Sequence, residues 1–174
     1  MNVALLPWLG VTGQWRFEEV SDDVDSLPSG IDDREGNGEL GLTLGTVGAR
    51  LTFLHDITDV HDGYEIQLHL GRAFDTPFNN FAISPYVEVD YRDKKLSSHL
   101  YSVSVKESVA SGLSRFNASS SWVYQAGIIG IYDITPDWLG IVKAEVSHHD
   151  SGSPLVQRDL GWAATIGVSY KFTD

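Results

Sequence analysis

The sequence has no cysteine, few basic residues and no long apolar run, and each absence excludes a class of protein. Without cysteine, the chain cannot form disulfides, thiolate nucleophiles or cysteine-based zinc sites. Only 12 Lys and Arg stand against 24 Asp and Glu in 174 residues, for a formal net charge of -12. Because a nucleic-acid binder neutralises phosphates with clustered bases, we expect no nucleic acid partner.

A transmembrane helix and a secretory signal are also missing. The longest apolar runs, at 3–9 and 126–131, are far shorter than the roughly 20 residues a spanning helix needs. Met1 leads into strand-like sequence without a basic segment or a small-residue cleavage site. These absences alone would describe a soluble protein. The length suits a single domain covering 1–174, and 42% hydrophobic residues with 11% aromatics exclude an acidic disordered chain.

What the sequence does contain is strand-like alternation. Trp162, Ala164, Ile166, Val168 and Tyr170 alternate with small or polar residues, and the segments at 63–74 and 80–92 behave in the same way. About eight strands and no amphipathic helix are predicted, at 3–17, 38–46, 48–57, 63–74, 80–92, 120–134, 138–149 and 160–172. The fold class is therefore all-β and antiparallel.

Strand length and the positions of aromatic residues decide between a soluble barrel or sandwich and a transmembrane barrel. Strands of about 9 to 11 residues or more suit a tilted membrane crossing, whereas globular strands commonly have 5 or 6. Aromatic residues also gather at predicted strand ends, as Trp15, Tyr91 and Trp138 do, where the headgroup level favours them. We therefore predict an outer-membrane β-barrel whose apolar face contacts lipid.

The lengths of the connections indicate the same architecture. Outer-membrane barrels alternate long extracellular loops with short periplasmic turns. If the last strand descends to the periplasm, the longest connections, 18–37 and 93–119, both lie outside, and the short turns at 46–47, 75–79 and 135–137 lie inside. An even strand count allows both chain ends on the periplasmic side.

An ordered series of short motifs resembles the MipA/OmpV family of outer-membrane proteins. The series covers nearly the whole chain: Arg16-Phe17, Asp22 to Leu27, Ile31-Asp32-Asp33, Tyr101 to Ser104, Ser111 to Leu113, Tyr132 to Trp138, Ser153 to Val156 and Gly167 to Phe172. Members of that family carry a signal peptide and further amino-terminal strands. The resemblance therefore implies either the carboxy-terminal part of a larger barrel or a short form.

The resemblance implies a non-enzymatic scaffold in the cell envelope of a Gram-negative bacterium. Such a scaffold docks murein-remodelling enzymes, a murein transglycosylase and a murein synthase, through its periplasmic side, or acts in adhesion or envelope maintenance through its loops. Outer-membrane lipid and lipopolysaccharide are the other expected partners. The alternatives are a small-solute channel and an envelope lipid hydrolase.

Calcium binding is the first candidate chemistry. Most of the chain's acidity lies in 18–37: Glu18, Glu19, Asp22, Asp23, Asp25, Asp32, Asp33 and Glu35. Hard cations take several carboxylates, and Asp33, Glu35, Asn37 and Gly38 imitate the start of an EF-hand loop. However, the closing position falls on Leu44 within a strand. We therefore favour a solvated outer loop and predict no metal site.

A hydrolase would be centred on Ser147 and His149, with Glu145 as the acid. These residues alternate along one strand and share a face, whereas His148 faces the opposite way. A triad needs a base within hydrogen-bond reach of the nucleophile and a third group that orients the base, so polar lining of the barrel is the better interpretation. No catalytic residue and no cofactor is predicted. His55 with His61, and His148 with His149, lack a convergent third zinc ligand.

Charged residues of both signs are predicted on the inward face. They are Arg16, Arg50, Glu65, His69, Glu88, Asp90, Arg92, Lys143, Glu145 and Lys171. An eight-stranded barrel is only wide enough to be filled by its own side chains. An internal ion-pair network is therefore expected, and a pore is plausible only in a larger barrel.

Overall fold

The computed structural model describes residues 2–17, 28–46, 48–78 and 80–170. Its elements are β1 (Asn2–Leu6), β2 (Leu9–Arg16), β3 (Asn37–Thr46), β4 (Ala49–Asp56), β5 (Tyr64–Gly71), β6 (Phe74–Asp75), β7 (Phe81–Arg92), α1 (Lys94–Tyr101), α2 (Val105–Ser111), β8 (Ser121–Asp133), β9 (Trp138–Asp150) and β10 (Leu160–Tyr170). Within these ranges, neither helix is long and apolar enough to cross a membrane.

The strands form one ten-stranded antiparallel sheet that follows chain order, with the two-residue β6 beside β7. The sheet is strongly curved. Arg16 on β2 forms an ion pair with Glu65 on β5, although in a flat sheet these strands would be separated by three spacings of about 4.8 Å. Within the described residues no pairing joins β1 to β10, so the barrel-like sheet is not closed there. The all-β, antiparallel prediction is confirmed.

The first predicted strand, 3–17, is in fact a hairpin of β1 and β2, with Leu6 opposite Leu9. Pro7 lies at the turn, where its missing N–H and fixed φ are tolerated. This extra turn raises the strand count above eight. It also makes β1 run from the loop end toward the turn end, so the described chain starts at the end opposite to the one expected.

Alternation places large apolar side chains on the outer surface. Leu40, Leu42, Leu44, Phe53, Leu68, Leu70, Val87, Ile128, Val142, Val146, Ile166 and Val168 are all exposed. A soluble monomer rarely exposes a continuous apolar surface of more than a few hundred Å². This band therefore has the character of a lipid-facing surface, with a polar interior behind it.

Aromatic side chains border the apolar band on both sides. On the loop side, the rings of Tyr64, Tyr91 and Trp122 form a row across three strands, with centroid separations of 6.2 and 5.0 Å. On the turn side, the rings of Trp138 and Tyr170 are 4.9 Å apart. From Phe81 to Tyr91, ten residues at about 3.3 Å and a tilt near 45° span roughly 24 Å, the height of a barrel's apolar band.

The main apolar core lies outside the sheet, in a cap that the long connections form over its loop end. Leu96, Leu100, Tyr101 and Ala118 make one cluster, and Ile31, Val103 and Leu155 make another. Helices α1 and α2 both fall within 93–119, where the sequence analysis predicts none. The cap is ordered because its connections bury each other's apolar side chains.

Candidate functional site

A buried layer of charged side chains crosses the interior directly below the cap. Arg16 bonds both Glu39, at 3.3 Å from Nη2 to Oε1, and Glu65. Arg92 approaches the same Glu65 carboxylate, with its Nε 3.6 Å from Oε2. Glu65 is only 1% exposed, so the layer depends on mutual pairing of charges that have lost their water.

Further pairs continue toward the turn end. His69 Nδ1 lies 2.8 Å from Glu88 Oε2. The Tyr86 hydroxyl donates to Glu145 at 2.6 Å, and Lys143 Nζ lies 2.8 Å from the same carboxylate. The Tyr86 ring packs directly against Gly127. A Cβ at that position would lie 2.7 Å from the ring, so only glycine fits there.

The predicted internal ion-pair network is therefore observed, with three exceptions. Asp90 is buried but has no ion pair among the described residues, and its Oδ2 accepts from Gln125 Nε2 at 3.0 Å. Arg50 faces inward but has no ion pair among the described residues. Lys171 lies outside the described residues. Glu39 also belongs to the network, although it is not among the residues predicted from the sequence. Its position on the inward face of β3, opposite Asp56, is the signal that could have identified it.

The candidate hydrolase residues Ser147 and His148 lie on opposite faces of β9, as strand geometry predicts. Ser147 lies opposite Gln125 on the inner face, whereas His148 points outward and stacks on Tyr124 at 6.3 Å between ring centroids. Glu145 is bound to Tyr86 and Lys143. Its carboxylate is thus engaged by groups other than a histidine.

The calcium-like motif does not form one loop. Asn37 and Gly38 begin β3, and Asp32 lies 3.3 Å from Lys106, while 18–27, with most of the acids, lies outside the described residues. The rings of His61 and His99 contact each other in a tilted arrangement, with centroids 5.4 Å apart. Among the described residues, no group of three or more His, Asp or Glu is placed to hold a metal ion.

The cap is fixed to the loop end of the sheet by polar contacts. Arg34 Nη2 donates to Glu107 Oε1 at 2.7 Å and to the Ser102 carbonyl at 2.8 Å, which ties the connection before β3 to α2. The Ser97 and Ser121 hydroxyls lie 2.8 Å apart and join α1 to β8. The cap therefore covers the loop-side end of the interior.

Helix α2 has a signal in the sequence that could have revealed it. Ser104 and Glu107 form a capping box, in which the Ser104 side chain accepts from the Glu107 N–H while Glu107 accepts from the Ser104 N–H. This S-x-x-E pattern is a recognised helix start. The first helix likewise begins at Asp93, whose side chain accepts from the Leu96 N–H.

Stability of the cap should depend on acidic pH through Glu107. Burial would raise the pKa of Glu107, but hydrogen bonds from Ser104 and Arg34 outweigh it and lower the pKa from 4.5 to about 2. Because the folded pKa is depressed, the carboxylate stabilises the cap above about pH 4.5, and this is lost as pH falls through about 2. The hydrogen-exchange protection factors of α2, which correct for the intrinsic slowing of amide exchange in acid, should fall across that window, and Glu107→Gln should remove this dependence while lowering protection at neutral pH. Equal pH dependence in wild type and Glu107→Gln would contradict this assignment.

Comparison with known proteins gives a consistent family match. The family model described as "MltA-interacting protein MipA" matches residues 3–172. The "MltA-interacting protein" of Escherichia coli (strain K12) is 24% identical over 173 residues, which cover 94% of this chain and 69% of the relative. The "Putative outer membrane protein YiaT" of the same strain is 25% identical over 175 residues, covering 94% and 70%. No solved structure gives a significant match.

Proposed function

The chain belongs to the MipA family, and from that premise we propose that this outer-membrane protein is a non-enzymatic scaffold. It docks a murein transglycosylase at its turn-side end and brings it together with a murein synthase. The observation that carries the proposal is the family match, which includes a relative named for interaction with MltA.

The two ends of the sheet differ in a way that supports docking at the turns. Short turns belong to the periplasmic side of outer-membrane barrels, which is the side where murein lies. The cap occupies the opposite end, where its loops are positioned to meet lipopolysaccharide, while the outer apolar band contacts lipid. An adhesive or envelope-maintenance role would use that cap.

Phe78 is a suitable docking side chain at the turn end. It lies between β6 and β7 and is 73% exposed. Exposed aromatic residues often contribute strongly to binding once a partner covers them. Val109 on α2 is comparably exposed, at 83%, but lies in the cap, and so provides a matched control.

Binding to a purified murein transglycosylase tests the proposal. With the protein in lipid nanodiscs, we expect saturable binding to MltA, the partner named in the relative's description. Phe78→Ser should weaken binding at least tenfold, whereas Val109→Ser should change it less than twofold. Absence of binding by the wild type would contradict the scaffold function, and a stronger effect of Val109→Ser would place docking in the cap.

The channel and hydrolase alternatives have weaker support. The cap and the charge layer obstruct the loop-side half of the interior, which disfavours conduction. The engagement of Glu145 by Tyr86 and Lys143 disfavours acyl hydrolysis at Ser147. We therefore expect sealed planar bilayers after insertion, and lipid A esters that stay intact.

A further inference from the structure

The turn-side half of the interior contains a cavity of about 420 Å³. Pro7 and Thr46 form its rim at the turns, and residues of β1 to β5 form its walls. The charge layer and the cap lie on its loop side. The cavity is therefore a pit that is approached from the turn-side end.

Arg50 lines this pit, is exposed to solvent, and is the one cationic side chain on the described inner face without an ion pair. The other cations are matched: Arg16 with Glu39 and Glu65, Arg92 with Glu65, and Lys143 with Glu145. In a chain with a net charge of -12, a guanidinium facing a cavity without an acid beside it is unusual. Its five N–H donors suit paired oxygens of a carboxylate or phosphate group.

The inward acids of β7 and β9 already have partners, including Asp90, whose Oδ2 accepts from Gln125 Nε2 at 3.0 Å. Arg50 lies across from His69 on β5, and His69 holds Glu88 at 2.8 Å. Glu145 is held by Lys143 and Tyr86. No carboxylate among the described residues pairs with Arg50, and a ligand can.

A row of hydroxyl groups adds hydrogen-bond donors to the same wall. Thr12 Oγ1 lies 2.5 Å from Thr43 Oγ1, which lies 3.1 Å from Thr52 Oγ1. Each hydroxyl has one hydrogen. If Thr12 donates to Thr43 and Thr43 donates to Thr52, the Thr52 hydrogen remains available to a ligand, one inward position from Arg50 on β4.

We infer that this pit is a binding site for a small oxyanion, a carboxylate or phosphate group, with Arg50 as its charged contact and Thr52 as a hydroxyl donor. The ligand enters from the turn side. This inference concerns the chain alone and does not depend on the docking of a murein enzyme.

Titration of inorganic phosphate into the detergent-solubilised full chain, at constant ionic strength, tests the site. The readout is the NMR amide shifts of Gly10 and Gly45, which line the pit. We expect a saturable shift whose half-saturation concentration rises at least tenfold in Arg50→Ala and about threefold in Thr52→Val. The half-saturation concentration of Arg50→Lys should lie between those of wild type and Arg50→Ala, because lysine keeps the charge but lacks the planar guanidinium.

Arg72→Ala is the matched control. Arg72 follows β5 at the same end, and its guanidinium lies 5.3 Å over the Phe74 ring, so its loss should change half-saturation less than twofold. Unshifted spectra away from the pit will show that each variant is folded. Wild-type titration behaviour in Arg50→Ala, or an equal effect of Arg72→Ala, would overturn the inference.

Two further probes distinguish the sources of the oxyanion. Acetate represents a free carboxylate, and a short peptide with a free carboxyl terminus is compared with its amidated form. If the acid peptide has a half-saturation concentration at least tenfold below that of acetate, and the amidated peptide does not saturate, the pit is assigned to a chain terminus. Equal saturation by acetate and peptide assigns it to small free anions, and no saturation by any probe overturns the site.

Discussion

Replacing Glu65 with glutamine is expected to lower the free energy of unfolding by about 3 to 5 kcal/mol, the cost of breaking a buried ion pair from one side. The Glu65 carboxylate is shared by Arg16 and Arg92. Its neutralisation leaves two buried guanidinium groups with Glu39 as the remaining acid of that layer. Urea unfolding in lipid vesicles, followed by tryptophan fluorescence, measures the difference.

Lys106→Ala is the control for this effect. It removes an exposed ion pair, Lys106 with Asp32 at 3.3 Å, which should contribute less than about 1 kcal/mol. A loss below about 1 kcal/mol for Glu65→Gln would mean that the charge layer is hydrated rather than buried.

Replacing Val87 with arginine is expected to cost about 2 to 4 kcal/mol, the value for a cation at the bilayer midplane on the lipid face of a barrel. Val87 points outward from β7, between the aromatic residues Phe81 and Tyr91 at its two ends. It is 49% exposed, so the same substitution in a water-facing strand would cost little. The free energy of unfolding in vesicles of defined thickness is the measurement.

Val105→Arg separates lipid exposure from water exposure. Val105 is 59% exposed at the start of α2 in the cap, and its replacement should change stability by less than about 0.5 kcal/mol. Similar costs at both positions would show that Val87 does not contact hydrocarbon.

The strands could be predicted because lipid on one side and polar groups on the other enforce a period of two. In β7 and β10 this pattern is unbroken, and the structure has the predicted faces. The segment 3–17 was wrongly predicted as one strand because its apolar run at 3–9 continues through Pro7 and Trp8, although a proline within a strand pattern is a warning of a turn.

The cap could not be predicted in the same way. Its helices are short, seven and eight residues, and such helices depend on tertiary packing more than on their own periodicity. Leu96 and Leu100 are buried by side chains from distant connections, including Val156. Only the capping signals at Asp93 and Ser104 were local.

The interior charges were predictable by face but not by partner. Period two places Arg16, Glu65 and Arg92 inside, yet the contact from Arg16 to Glu65 depends on how strongly the sheet curves. Strand phase likewise places Arg50 opposite His69 but does not fix that His69 pairs with Glu88, or that no described acid pairs with Arg50.

This sheet presents its apolar face to outer-membrane lipid and its polar face to the interior. Because the chain has no cysteine, single spin labels can be attached cleanly at outward Val87 and Ile166 and at inward Ser84 and Thr165. In reconstituted bilayers, power-saturation measurements should show higher oxygen and lower nickel-chelate accessibility at the outward pair, with the reverse at the inward pair. Uniform accessibility at all four positions, or the opposite phase, would contradict the account.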